Sequence, residues 1–262
     1  ANYQVLKNTP FNNIYIHPSP GDNGLAIGQA LWAYNVDLNN KRKYSAIHDY
    51  LGRKYNKKDF DVALQYLKKF HNVNIVKFKS MDELYSKMAL DISKGKITSW
   101  FQGRSEFGPR ALGNRSILAD PRRKDMKDIL NSRVKFRESF RPFTPSVLEE
   151  NCLDYFELDF NSPFMLHAAF VKKEKRNLIP AVTHIDNTAR IQTVSRDDNK
   201  RYYDLIKKFK DLTEIPMLLD TSFNIAGEPI VETPLDAVKC FLSTDIDVLG
   251  INNFYIQKIN VK

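Results

Sequence analysis

Only two cysteines occur in the 262 residues, Cys152 and Cys240, and they form no CxxC pair. A disulfide framework and a cysteine-rich zinc site are thereby excluded, and a reducing, cytoplasmic setting fits best. No apolar run approaches the ~20 residues that a bilayer span requires, and the N-terminus lacks the basic-then-apolar order of a signal peptide, so no membrane partner is expected. Walker A, GxSxG and HExxH patterns are also missing, which weighs against a P-loop enzyme, a serine hydrolase and a zincin. Without zinc-finger spacing or an RNP-type aromatic motif, nucleic-acid binding is disfavoured. There is no internal repeat or low-complexity tract.

What is present is an ordinary globular composition, 42% hydrophobic, with a net charge of +9 from 40 basic and 31 acidic residues. Such a chain can bury a core, and it attracts anions. Much of the excess lies in lysine pairs on helical surfaces, such as Lys57-Lys58 and Lys207-Lys208, where solvation explains them.

One stretch is different. From Trp100 to Leu118 an apolar run breaks into a loop holding three glycines and a proline, delivers Arg104, Arg110 and Arg115 with Glu106, and becomes apolar again at Ile117. A guanidinium is a planar fork that meets phosphate or carboxylate oxygens two at a time, and neighbouring glycines let backbone N–H groups approach a ligand. A second basic group follows at Lys135, Arg137 and Arg141. On an extended segment Lys135 and Arg137 would point the same way, and Arg141 would join them only if the chain curved back. Arg190 lies near the start of a β-branched run, and Ser222 and Asn224 close an apolar strand.

Around these groups the pattern predicts a strand at Asn13 to Ile16, a turn through Asp22, and a helix from Leu25. It predicts helices at Asp61 to Phe70, Met81 to Lys94, Lys124 to Ser132, Arg201 to Leu212 and Pro234 to Ser243. Strands are expected at Val73 to Phe78, Ile97 to Gln102 and Phe164 to Val171, with a terminal hairpin turning at Asn252-Asn253. Pro142 and Pro145 mark Phe143 to Leu148 as an irregular or edge strand. Alternating strands and helices give an α/β or α+β class. Cations gathered in one concave site would repel each other unless a highly charged ligand neutralised them, so a nucleotide with a second phosphate compound suits them. Charge stabilisation of phosphoryl or nucleotidyl transfer needs no protein nucleophile.

Phe101-Gln102-Gly103-Arg104 through Arg122, Phe140-Arg141-Pro142-Phe143, Thr183-His184 through Val194, and Thr221-Ser222-Phe223-Asn224 with Gly227-Glu228-Pro229-Ile230-Val231 resemble the C-terminal region of NodU/CmcH-type O-carbamoyltransferases. Lys135-x-Arg137 with Ser222-x-Asn224 resembles the KxR and SxN signature of the YrdC/Sua5-like fold. The resemblance implies a twisted YrdC-like sheet with flanking helices, in which ATP, with Mg2+, and carbamoyl phosphate give a bound carbamoyl-adenylate. Lys135, Arg137, Arg190, Ser222 and Asn224 would hold the carbamoyl and phosphate groups, and Arg110, Arg115 and Arg141 the nucleotide phosphates.

The family also has an N-terminal Kae1-like domain in which the group passes to an acceptor hydroxyl. The turn through Asp22 resembles its end, where the aspartate helps hold a divalent metal such as Fe2+. The histidine ligands are absent, so the chain reads as a fragment: residues 1–37 a remnant of that domain, 38–60 a connector, 61–262 the YrdC-like domain. Transfer to the acceptor would need the rest. Threonylcarbamoyl-adenylate synthesis for tRNA modification and an RNA-binding module are the alternative readings.

Overall fold

The computed structural model describes residues 2–11, 13–43, 48–138 and 140–259. Its strands are β1 (Val73–Lys77), β2 (Thr98–Phe101), β3 (Arg115–Ala119), β4 (Thr144–Leu148), β5 (His167–Phe170), β6 (Thr188–Val194), β7 (Met217–Ser222), β8 (Val248–Ile251) and β9 (Phe254–Lys258). They form one nine-stranded mixed sheet in the order β1-β9-β8-β2-β3-β7-β4-β6-β5. The helices are α1 (Asn2–Asn8), α2 (Asp22–Trp32), α3 (Lys57–Leu67), α4 (Met81–Ser93), α5 (Met126–Leu130), α6 (Cys152–Tyr155), α7 (Lys200–Thr213) and α8 (Pro234–Ser243). The mixed α/β class expected from the sequence is what the chain adopts.

Local chemistry sets the helix starts. Asn56 and Asp59 form a capping box at α3, Thr233 and Asp236 form another at α8 with Pro234 in its first turn, and the Ser80 hydroxyl accepts the Asp82 N–H at α4. Each satisfies backbone donors that a helix N-terminus leaves free. Helix α4 packs on α7, and α3 on α8. Adjacent residues of β2 show the two faces of the sheet. Trp100 meets Tyr85 of α4 with ring centroids 6.0 Å apart, whereas Phe101 meets Phe60 of α3 at 6.3 Å. Strands β2, β3 and β4 are buried along their whole length, as expected where helices cover both faces.

Three local expectations are corrected. Asn13 to Ile16 form no strand, because no partner strand lies beside them among the described residues. Strand β4 is central, between β7 and β6, despite its proline. Pro145 is its second residue, and the pairing with β6 begins only at Ser146, so the missing N–H falls at the mouth of the ladder. Finally, Lys135 and Arg137 do not share an extended segment. Helix α5 continues as a π-helical turn, Asn131–Lys135, and Phe136 follows in the left-handed region at φ 43°, so the backbone turns between the two residues instead of extending.

Residues 2–3 and 49–52 are hydrogen-bonded to loops of the later part of the chain. Asn2 Nδ2 donates to the Leu166 carbonyl and the Tyr3 hydroxyl to that of Glu157. The Gly52 N–H bonds the Ser105 carbonyl, and the Phe107 N–H that of Asp49.

Candidate active site

The sheet register builds the site. Strand β7 is antiparallel to β3 and β4, and β4 runs parallel to β6, so the end of β7 meets the beginnings of the other three. Ser222 stands opposite Ser116, and Asp220 opposite Thr144. Arg190, third residue of β6, reaches across to donate from Nη2 to the Thr144 hydroxyl at 3.0 Å.

Above this end lies the 102–114 loop joining β2 to β3. Gly103, Gly108 and Gly113 have φ of 51°, 128° and 96°, values that L side chains rarely adopt. At Gly113 a Cβ would also stand 2.0 Å from the Tyr202 ring. Glu106 organises the loop from within: its Oε1 accepts N–H bonds from Leu112 (2.8 Å), Asn114 (2.7 Å) and Arg115 (3.3 Å). Burial raises this carboxyl's pKa, and the N–H groups of Leu112 and Asn114 and the charge of Arg115 offset part of the effect.

An open cleft results, lined by Arg110, Arg137 and Arg190 with Phe143, Thr144, Met165, Asp220, Thr221 and Ser222 among others. Lys135 stands beside it. Its Nζ donates to the Ser222 carbonyl (2.5 Å) and hydroxyl (3.2 Å) and to the Asn224 carbonyl (3.0 Å) and Oδ1 (2.7 Å). Burial, then Arg137, pushes the ammonium down to about 7. Arg137 lies over the Phe143 ring at 4.7 Å and donates from Nε to Asn131 Oδ1. Burial, followed by Arg110 and Arg137, brings Arg190 down to about 10. The cations at this cleft therefore disfavour each other's charge, as a site awaiting an anion would.

The remaining arginines are placed differently. Arg115 is fully buried, its guanidinium 3.6 Å from the Phe101 ring centroid and bonded to the carbonyls of Gln102 and Asn114, so it has no path to a phosphate in the cleft. Arg104 donates to the carbonyls of Gly52 and Leu51, and Arg141 is exposed and paired with Glu138 at 3.1 Å. Asp22 is an exposed carboxylate in the first turn of α2, and no group of three His, Cys, Asp or Glu side chains able to hold a metal occurs among the described residues. These residues do not fit a metal centre.

Two acidic residues with a place in the site are not singled out by sequence reasoning. In the sequence Glu106 is only a carboxylate amid arginines. Asp220 is fully buried, its Oδ2 accepting from the hydroxyls of Ser146 (3.0 Å) and Tyr202 (3.1 Å). Burial pushes it up to about 7. The signal in the chain is a lone carboxylate ending the apolar run Met217-Leu218-Leu219.

Residues 89–258 match the family described as carbamoyltransferase C-terminus. Nodulation protein NolNO of Sinorhizobium fredii is 44% identical over 98% of the chain and 38% of its own length. NolO of Bradyrhizobium diazoefficiens is 41% identical over 98% and 47%, and the uncharacterized Synechocystis protein sll1178 is 43% identical over 98% and 45%. The chain thus spans less than half the length of these relatives. A solved full-length HypF, in its phosphate- and nucleotide-bound form, superposes with a TM-score of 0.43 at 15% identity, covering 71% of this chain and 22% of that one.

Proposed function

The chain belongs to the carbamoyltransferase family, whose C-terminal region it contains, and from that membership we propose that its cationic cleft binds carbamoyl phosphate and ATP and joins them as carbamoyl-adenylate. Joining the carbamoyl group to the α-phosphate of ATP consumes one water and releases pyrophosphate and inorganic phosphate. All these species except water carry phosphate charge, which is what Arg110, Arg137 and Arg190 are suited to bind. Lys135, steered by Ser222 and Asn224, holds the acyl end. An incoming anion favours its ammonium form, reversing the effect of burial. Positioned cations stabilise the charge that moves to the leaving phosphates, and no covalent protein intermediate is needed.

The supporting observation is the convergence of three guanidiniums on one cleft, beside a buried lysine, with Asp220 the one acidic side chain among the lining residues. ATP is proposed to arrive as its magnesium complex; no step is assigned to a metal ligand of this chain. Transfer to an acceptor hydroxyl, and any metal serving it, are proposed for the longer proteins of the family. Titration calorimetry with carbamoyl phosphate and MgATP tests the reading. Wild type should show saturable one-site binding that Arg110→Ala and Lys135→Ala each weaken at least tenfold while circular dichroism stays unchanged. Folded wild type that binds neither compound, or variants that bind as wild type does, would sink it.

A further inference from the structure

The cleft holds two buried polar atoms without a hydrogen-bond partner among the described residues, Asp220 Oδ1 and Arg190 Nε. One accepts and the other donates. They belong to neighbouring walls: Asp220 stands opposite Thr144 in the sheet, and Arg190 donates to the hydroxyl of that same Thr144. Each also feels the other's charge, since Asp220 favours the cationic form of Arg190. Leaving such atoms unpaired in a buried site is costly, so a ligand that satisfies both is favoured over one that satisfies either alone.

A free carboxylate oxygen is out of place in a phosphate site, because it repels the anion that the arginines attract. It suits the end of a ligand that carries N–H hydrogens. A carbamoyl group offers a carbonyl oxygen and an amino group on a single carbon, an acceptor and a donor side by side. The hydroxyls of Ser146 and Tyr202 both donate to Oδ2, the Ser116 hydroxyl faces the same carboxyl while accepting the Gly113 N–H, and Oδ1, which lines the cleft with the rest of Asp220, keeps acceptor capacity that a ligand N–H can fill.

We propose that Asp220 Oδ1 accepts an N–H of the carbamoyl amino group while Arg190 Nε donates to its carbonyl, so that Asp220 selects an amino-bearing acyl phosphate over other acyl phosphates. The inference rests on the proposed binding of carbamoyl phosphate and assigns Asp220 as its specificity-determining residue. Asp220 moves no proton in this role; it is a positioning contact on the ligand's non-reacting nitrogen.

Acetyl phosphate is the discriminating probe, since it keeps the carbonyl and the phosphate and has a methyl group where carbamoyl phosphate has the amino group. Calorimetry on the wild-type chain above pH 7, where the raised carboxyl of Asp220 is ionised, should find carbamoyl phosphate bound about ten- to a hundredfold tighter, as loss of a hydrogen bond to a charged acceptor implies. In Asp220→Asn, a replacement of equal volume, the amide oxygen stays with Ser146 and Tyr202 and its NH2 turns to the cleft. That variant should bind both compounds within about threefold, with acetyl phosphate affinity retained. Equal binding of the two by wild type, or an unchanged preference in Asp220→Asn, overturns the assignment and leaves the phosphate cleft standing. If wild type binds neither compound, the reading of the cleft itself is what fails.

Discussion

Replacing Glu106 with alanine should disable the arginine loop from a position that touches no arginine fork. Its Oε1 alone receives the N–H groups of Leu112, Asn114 and Arg115, and these residues carry the chain from Arg110 back into β3. A net hydrogen bond contributes roughly 1 kcal/mol, and a donor stranded inside costs about 1–3 kcal/mol. With two short contacts and a longer third, and some access of water to the emptied site, the loss comes to roughly 2–4 kcal/mol. Arg115, buried against Phe101, also loses the carboxylate that favours its charge. Glu106→Gln keeps an acceptor oxygen, and since burial already raises the pKa of Glu106, its cost should stay near ~1 kcal/mol. Urea denaturation followed by far-ultraviolet dichroism measures the stabilities, and calorimetry with carbamoyl phosphate reads the loop. Glu106→Ala should lose anion affinity in parallel with stability. An alanine variant within ~0.5 kcal/mol of wild type, about the scatter of a neutral surface change, with undiminished anion binding, would refute the argument.

Gly113→Ala should destabilise by ~3 kcal/mol or more, because it combines a left-handed backbone at φ 96° with a Cβ placed 2.0 Å from the buried Tyr202 ring; a thermal midpoint equal to that of wild type would contradict this. Asp49 should make stability fall as pH rises from about 4 to about 7. Burial, then Glu106, pushes its carboxyl up from 3.8 to about 7, so the folded state holds the extra proton throughout that window. The contribution is intact below the unfolded pKa and lost by the folded one, at most ~4 kcal/mol at about 1.4 kcal/mol per unit. Asp49→Asn should flatten this slope in denaturation curves taken at pH 4, 5.5 and 7, and an unchanged slope would show that the carboxyl is not held protonated.

Elements written in local chemistry are legible in the sequence alone. The period of Leu84, Met88 and Ile92 marks α4, the Thr233-Pro234 start marks α8, and Asn252-Asn253 mark the terminal hairpin, because helix periodicity, caps and turn residues act over a few positions. The arginine loop is legible for the same reason: its glycines and arginines are contiguous. The register is not. Thr144 pairs with Asp220 and Ser116 with Ser222 across gaps of many tens of residues, and no local propensity encodes such partners.

That register is what the tertiary structure decided. It seated Pro145 in a central strand, brought Lys135, the last residue of a π-helical turn, onto Ser222 and Asn224, and buried Arg115 while leaving Arg110 at the cleft. It also turned Asp220 from one acidic residue among 31 into a buried acceptor amid arginines. The sequence by itself determined which chemical groups the chain carries and the short elements that bear them, because those depend on neighbours along the chain. Which charges lose their water, and which face one another, depends on long-range pairing and packing, and these exist only in the folded sheet.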